Sequence, residues 1–226
     1  VADETPPKTD REKRRNRRFP LGRHHGLSDG VFAIAMTLLV LDVKIPDLGE
    51  HVTEAQLVFA LQHDALPAFL AYLLSFYVIG SQWLAHHEMF EDIAYADRRL
   101  SLFNMQYLLL IAVMPFPSFL LAKYGDLPLG TAIYAVAVGA GGLGRARMQA
   151  YAAKTELLKP NVDRAAWRKD TISAFAFGTL FILSAGLAFI RPWLTYVSWV
   201  VVLGGWALLS RSGIFGLIRD RYRRST

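Results

Sequence analysis

Leu100-Ser101-Leu102-Phe103-Asn104-Met105-Gln106-Tyr107-Leu108-Leu109-Leu110-Ile111-Ala112-Val113-Met114-Pro115-Phe116-Pro117-Ser118-Phe119-Leu120-Leu121-Ala122 carries no acidic or basic side chain. A helix needs roughly 20 apolar residues to cross the hydrocarbon core of a bilayer, so this stretch reads as a membrane span. Four more uncharged blocks of similar size follow the same rule: Ala65 to Ala85, Leu127 to Gly144, Thr171 to Ile190 and Pro192 to Ser210. A sixth segment, Leu27 to Ile45, is uncharged only from Gly30 to Leu41, between Asp29 and Asp42. A span shielded by other helices, or lining water, need not satisfy lipid, so its shortness predicts a central position. With 53% hydrophobic residues in 226, the chain is expected to be an all-α polytopic membrane protein with six transmembrane helices.

Charge supports the same count independently. If the amino terminus is inside, six crossings put every Lys and Arg on the inner side except Lys44, Lys123 and Arg191. That is the positive-inside asymmetry, and it predicts a cell-membrane protein with both termini cytoplasmic. The net charge of +6 is thereby explained without a nucleic-acid partner; a bilayer with anionic headgroups is the partner it implies. The sequence contains no cysteine, which removes disulfides, thiolate nucleophiles and cysteine metal sites. No nucleophile-and-base set or cofactor fingerprint is present either, so an enzyme is not expected.

Along the chain, residues 1–22 read as a basic disordered arm, 23–217 as the six-helix transmembrane unit, and 218–226 as a basic tail. Thr53 followed by Gln56 forms a capping-box pattern, predicting a short amphipathic helix at the outer interface with Leu57, Val58 and Leu61 on one side. Tyr124-Gly125-Asp126 and Arg191-Pro192 read as tight turns joining antiparallel pairs, and Arg145 to Asp170 as a long, polar and partly helical inner loop. Tyr95, Tyr124, Trp167, Trp193 and Tyr222 fall at span ends, where interfacial aromatics are expected. Gly139, Gly141 and Gly144 spell G-x-G-x-x-G, but at the end of a hydrophobic span and not after a strand. Close helix packing through these glycines and Gly142 is the reading taken.

The chemistry concentrates in Arg23-His24-His25-Gly26-Leu27-Ser28-Asp29-Gly30-Val31-Phe32-Ala33-Ile34-Ala35-Met36-Thr37-Leu38-Leu39-Val40-Leu41-Asp42-Val43-Lys44-Ile45-Pro46. Ionisable groups in a span need partners, so Arg23 and Asp29 are expected to have them. Ser28 or Asp29 would also serve as a helix cap. On a helical wheel Ile34, Leu38 and Leu41 lie within about 60 degrees of one another, with Thr37 at their border. By periodicity alone such a stripe reads as core or lipid contact. His86 and His87 point about 100 degrees apart on a helix, and no H-E-x-x-H is present, so no metal site is expected.

This helix resembles the signature helix of the transmembrane protein 175 family, potassium channels of lysosomes and of many prokaryotes. Its motif reads R-x-x-x-F-S-D, then G-V-F-A-I-A and an apolar run ending near D-x-K-x-P; here Leu27 replaces the Phe. Tyr72-Leu73-Leu74-Ser75-Phe76, Trp83-Leu84-Ala85-His86-His87 and Asn104 through Pro115-Phe116-Pro117 follow in family order, so the resemblance covers the first three helices. It implies a homotetramer whose first helices line a central pore, permeable to potassium and other monovalent cations and needing no cofactor. On this chain the constriction falls on Ile34, Leu38 and Leu41, with Thr37 as a threonine layer and a hydrophobic gate in place of a carbonyl filter. The absence of a T-V-G-Y-G loop agrees with that. The resemblance also implies an inner hydrogen-bond cluster in which Arg23, Ser28 and Asp29 meet Trp83, one of His86 and His87, and Asn104. Outer acidic residues, including Asp47, Glu50 and Glu54, would concentrate cations. The rival reading is a proton-coupled secondary transporter or exchanger using Asp29 and a histidine; no internal repeat supports it.

Overall fold

The computed structural model describes residues 19–45, 47–49 and 51–209, the last four as backbone only. The basic arm up to residue 18, Pro46, Glu50 and everything beyond 209, including Tyr222, lie outside the described residues. Among the described residues the protein is all-α, and its eight helices form six rods. Helix α1 (Gly22–Leu38) tightens into a 3-10 turn at Leu39–Asp42. Helices α2 (Glu54–Ala60) and α3 (Leu66–Glu91) make the second rod, α4 (Arg98–Val113) and α5 (Pro115–Tyr124) the third. Helices α6 (Pro128–Lys154), α7 (Arg164–Ala188) and α8 (Pro192–Leu209) are one rod each.

The first, second, third and fifth rods each have the length and hydropathy to cross a membrane. Helix α6 has 27 residues but dilutes its hydropathy with glycine; α8 is apolar over its shorter Pro192–Gly205 stretch. The Tyr124–Asp126 and Arg191–Pro192 turns join antiparallel neighbours, as expected.

Proline explains both interruptions inside rods. The Thr53–Gln56 capping box is present and opens α2, but α2 is no separate interfacial helix. It runs into α3 through a π-turn at Leu61–Ala65, where Leu66 N–H reaches back to the Leu61 carbonyl just ahead of Pro67. Widening the helix by one residue absorbs a ring that cannot donate and would collide with the preceding turn. Between α4 and α5, Pro115 lacks the N–H that would bond the Ile111 carbonyl, and Met114 N–H takes that acceptor instead at 3.1 Å.

Helix α6 is the packing centre, in contact with α3, α4, α5, α7 and α8. Its glycines make this possible. A Cβ at Gly139 would sit 2.6 Å from the Gly178 carbonyl oxygen, and one at Gly142 would sit 2.9 Å from the Gly178 Cα. The two backbones therefore touch, the small-residue packing expected of membrane helices. At the end of this pair, Arg145 is buried and paired with Asp170 at 3.0 Å, where the Gln149 amide also donates at 2.7 Å.

The inner segment is partly helical, as expected: α6 runs to Lys154 and α7 begins at Arg164. Other expectations need correction. Residues 155–163 between them are not uniformly polar, since Leu157 and Leu158 are buried. Trp167 does not join an interfacial belt: it is buried, and its indole N–H donates to the Gln149 carbonyl at 3.1 Å. Ordered structure also starts before residue 23, because Phe19 exchanges two backbone hydrogen bonds with Ala96. Within one chain, α1 packs chiefly on α3 and α4, and 22% of its apolar window is buried.

Candidate pore helix and inner cluster

Two faces of α1 have separate jobs. Ser28, Phe32, Ala35 and Leu39 are buried, and their spacing of three to four residues defines one face against α3 and α4. Turned from it by about 130 degrees, Ile34, Leu38 and Leu41 are exposed by 60%, 43% and 60%. Leu27, also exposed, extends their line toward the amino-terminal end. The 3-10 turn sharpens the stripe. With three residues per turn after Leu38, Leu41 comes to lie almost directly above it, which an unbroken α-helix would not do. Thr37 is exposed beside them, and its hydroxyl donates back to the Ala33 and Ile34 carbonyls, each at 3.0 Å. The proton is thus used on the helix, and the lone pairs of Oγ1 remain for whatever passes.

The polar residues near the start of α1 tie it down by two links. Trp83 of α3 donates its indole N–H to the Asp29 carboxylate at 2.9 Å. One residue earlier, Ser28 accepts from the Asn104 amide at 3.3 Å, and the Asn104 carbonyl accepts from His86 Nε2 at 2.8 Å. An amide oxygen can only accept, so His86 must carry its proton on Nε2. Ser28, Asn104 and His86 are all buried. The chain of bonds crosses α1, α4 and α3 in turn.

The structure brings together Ser28, Asp29, Trp83, His86 and Asn104, and leaves aside Arg23 and the second of the two candidate histidines. Arg23 is exposed, and among the described residues no hydrogen bond joins it to the others. His87 faces away from Asn104: its Nε2 lies 3.4 Å from the Glu91 carboxylate, and its ring packs near Trp83 and His25. The adjacent positions diverge as helix geometry requires, which assigns the Asn104 bond to His86. Neither Ser28 nor Asp29 caps α1, because the helix already begins at Gly22; both side chains are engaged across helices instead.

Sequence reasoning missed Tyr107 and Phe32. The Tyr107 ring stacks parallel on His86 at 5.3 Å, and its hydroxyl donates to the Gln82 amide oxygen at 3.2 Å. Phe32 covers His86 at 5.7 Å. The signal was available: Tyr107 follows Asn104 by three residues and Gln82 precedes His86 by four, so each shares a helix face with a chosen residue.

Among the described residues, no group of three or more His, Cys, Asp or Glu is placed to hold a metal ion. The family model described as endosomal/lysosomal potassium channel TMEM175 matches residues 23–115. A potassium channel of Streptomyces collinus is 36% identical over 185 residues, covering 77% of this chain and 85% of that protein. The chain belongs to the TMEM175 family. Further TMEM175 relatives widen the likeness beyond the first three helices. The crystal structure of a lysosomal potassium-selective channel TMEM175 homolog from Chamaesiphon minutus superposes with a TM-score of 0.72 at 33% identity, covering 84% of this chain and 97% of that one. The human endosomal/lysosomal proton channel TMEM175 is 27% identical over 201 residues, which is 86% of this chain but 38% of the human protein. TMEM175 is a family of ion channels, not of enzymes, and this member is a multi-pass membrane protein.

Proposed function

We propose that this chain is the subunit of a homotetrameric, potassium-permeable cation channel, with α1 of each copy lining the pore and Ile34, Leu38 and Leu41 forming its constriction. The observation that carries this reading is the exposed aliphatic stripe on the side of α1 opposite its packed face. In one chain the stripe has no cover. Four copies placed about an axis would turn it onto a shared lumen, with Thr37 as a ring of oxygens beside it.

Such a ring conducts only when wide enough to stay wet, and blocks by dewetting when narrower, so small rotations of the four helices would gate it. Methyl groups cannot replace a hydration shell; the acceptor lone pairs of Thr37 favour cations over anions but discriminate weakly among them. Asp47 and Glu54, both exposed on the far side of the bundle, would raise the local cation concentration at the mouth. The basic end of the rods faces the cytoplasm in this reading, with the protein in the cell membrane.

Purified protein in planar bilayers tests it, with potassium, sodium and caesium compared side by side. Unitary current steps carried by potassium are the expected result. Saturable slow flux without steps would instead support the proton-coupled carrier. A pH gradient with no potassium present reads any proton current, an arm motivated by relatives that bear the name proton channel.

A further inference from the structure

Two arginines on α6 meet opposite fates. Arg145 points into the bundle and is neutralised by Asp170 at 3.0 Å. Arg147, about 200 degrees further round the helix, is exposed. Its guanidinium lies 3.9 Å from the centre of the Phe103 ring and donates to the Gln106 side-chain oxygen at 3.1 Å. Both groups that hold it are neutral. The cation is therefore fixed in place between α4 and α6 with most of its donor fork free.

The surroundings continue the pattern. Lys154 lies two turns on from Arg147 along the same face of α6, and Arg99 one turn before Phe103 on α4; both are exposed. Tyr151 sits edge-on to Phe103 at 5.2 Å and donates its hydroxyl to Asp97, which occupies that carboxylate. In the opposite direction, toward the middle of the rods, the wall turns apolar within one turn. Gly144 lets α6 close on the Tyr107 ring there, which a Cβ would meet at 3.2 Å, and beyond it Leu109 presents an apolar surface, 64% exposed, with Leu110 half-buried beside it.

We propose that this face between α4 and α6 binds an anionic phospholipid, its phosphate on the Arg147 guanidinium and one acyl chain along Leu109 and Leu110. Charge complementarity selects the occupant. A zwitterionic lipid carries its own cation beside the phosphate, whereas a net negative headgroup leaves the attraction of Arg147, Arg99 and Lys154 uncancelled. The exposed apolar surface leading away from the arginine selects a lipid over a free anion.

Native mass spectrometry of the delipidated full-length protein, offered equimolar phosphatidylglycerol and phosphatidylcholine, tests the site. A basic residue at the headgroup is expected to favour phosphatidylglycerol about fivefold, a preference lost in Arg147→Gln and kept in Lys123→Gln at the far end of the bundle. Arg147→Gln must melt with wild type in phosphatidylcholine. If it does not, Gln106→Glu is read in its place, since it neutralises the guanidinium while leaving the arginine and its ring contact. Retention of the preference in the variant read would overturn the proposal. So would an equal loss in Lys123→Gln, or displacement of phosphatidylglycerol by millimolar inorganic phosphate, which would leave an anion site with no lipid.

Discussion

Helices α6 and α1 are both apolar rods threaded with small residues, yet one chain completes the first and leaves the second half covered. Helix α6 spends its glycines on contact: Gly139 and Gly142 meet Gly178 backbone to backbone. Helix α1 spends Gly22, Gly26 and Gly30 on nothing within 4 Å, and turns Ile34, Leu38 and Leu41 outward. Apolar pattern alone does not separate these cases, because lipid, core and lumen all accept the same side chains. What separates them is whether the neighbour that justifies a small or aliphatic residue lies in the same chain. Stability should accordingly be most sensitive at α6 and least sensitive along the α1 stripe.

The largest effect is expected at Gly139→Ala. The added methyl must fall 2.6 Å from a backbone oxygen that cannot swing aside, so the α6–α7 contact has to open. A loss of about 3 kcal/mol is expected from overpacking of this kind, read as a fall in melting temperature in detergent. The control is Gly186→Ala on α7, where a Cβ meets nothing. It should be neutral or slightly stabilising, through helix propensity. Equal melting of the two variants would remove the first half of the comparison.

Next comes the link that fastens α1. Asn104→Ala leaves a buried His86 N–H and the Ser28 hydroxyl without their partner, at a cost of roughly 2 kcal/mol. Trp83→Phe deletes only the more exposed bond to Asp29 and should cost about 1 kcal/mol in the same assay. If Trp83→Phe proved the more damaging, the second link, through Asp29, and not the buried chain through Asn104, would be what holds the helix.

These residues also show where the sequence was legible. The six rods followed from uncharged blocks and the sidedness of Lys and Arg, because the bilayer imposes both at the level of composition. The α6 glycines followed from spacing. Resemblance brought Ser28, Asp29, Trp83 and Asn104 together as candidates, but which histidine bonds Asn104 turned on a rotation of 100 degrees that only coordinates supply. Trp167 was misplaced because its position at a span end says nothing about a neighbour on α6 that offers the Gln149 carbonyl. The continuous α2–α3 rod was missed for a related reason: Asp64 ends the uncharged block at Ala65, and charge alone does not reveal that a single π-turn carries the helix through.

The smallest effect on stability, and the most informative, belongs to Leu38→Ala. Were Leu38 a packing residue, removing its branched end would cost several kcal/mol, as in any core. Turned onto a water-filled lumen, it has no such contacts to lose, and the change should stay within about 0.5 kcal/mol. The same truncation acts strongly on conduction, because it widens the ring one turn below Leu41 and lowers the cost of keeping water there. Unitary conductance should therefore rise and the preference for potassium over sodium fall. Ile34→Asn, which wets the stripe one turn away without shortening it as much, should shift both in the same direction by less. A melting temperature that drops while currents stay unchanged would assign the stripe to packing against a neighbour or lipid, and α1 would then differ from α6 only in where its contacts lie.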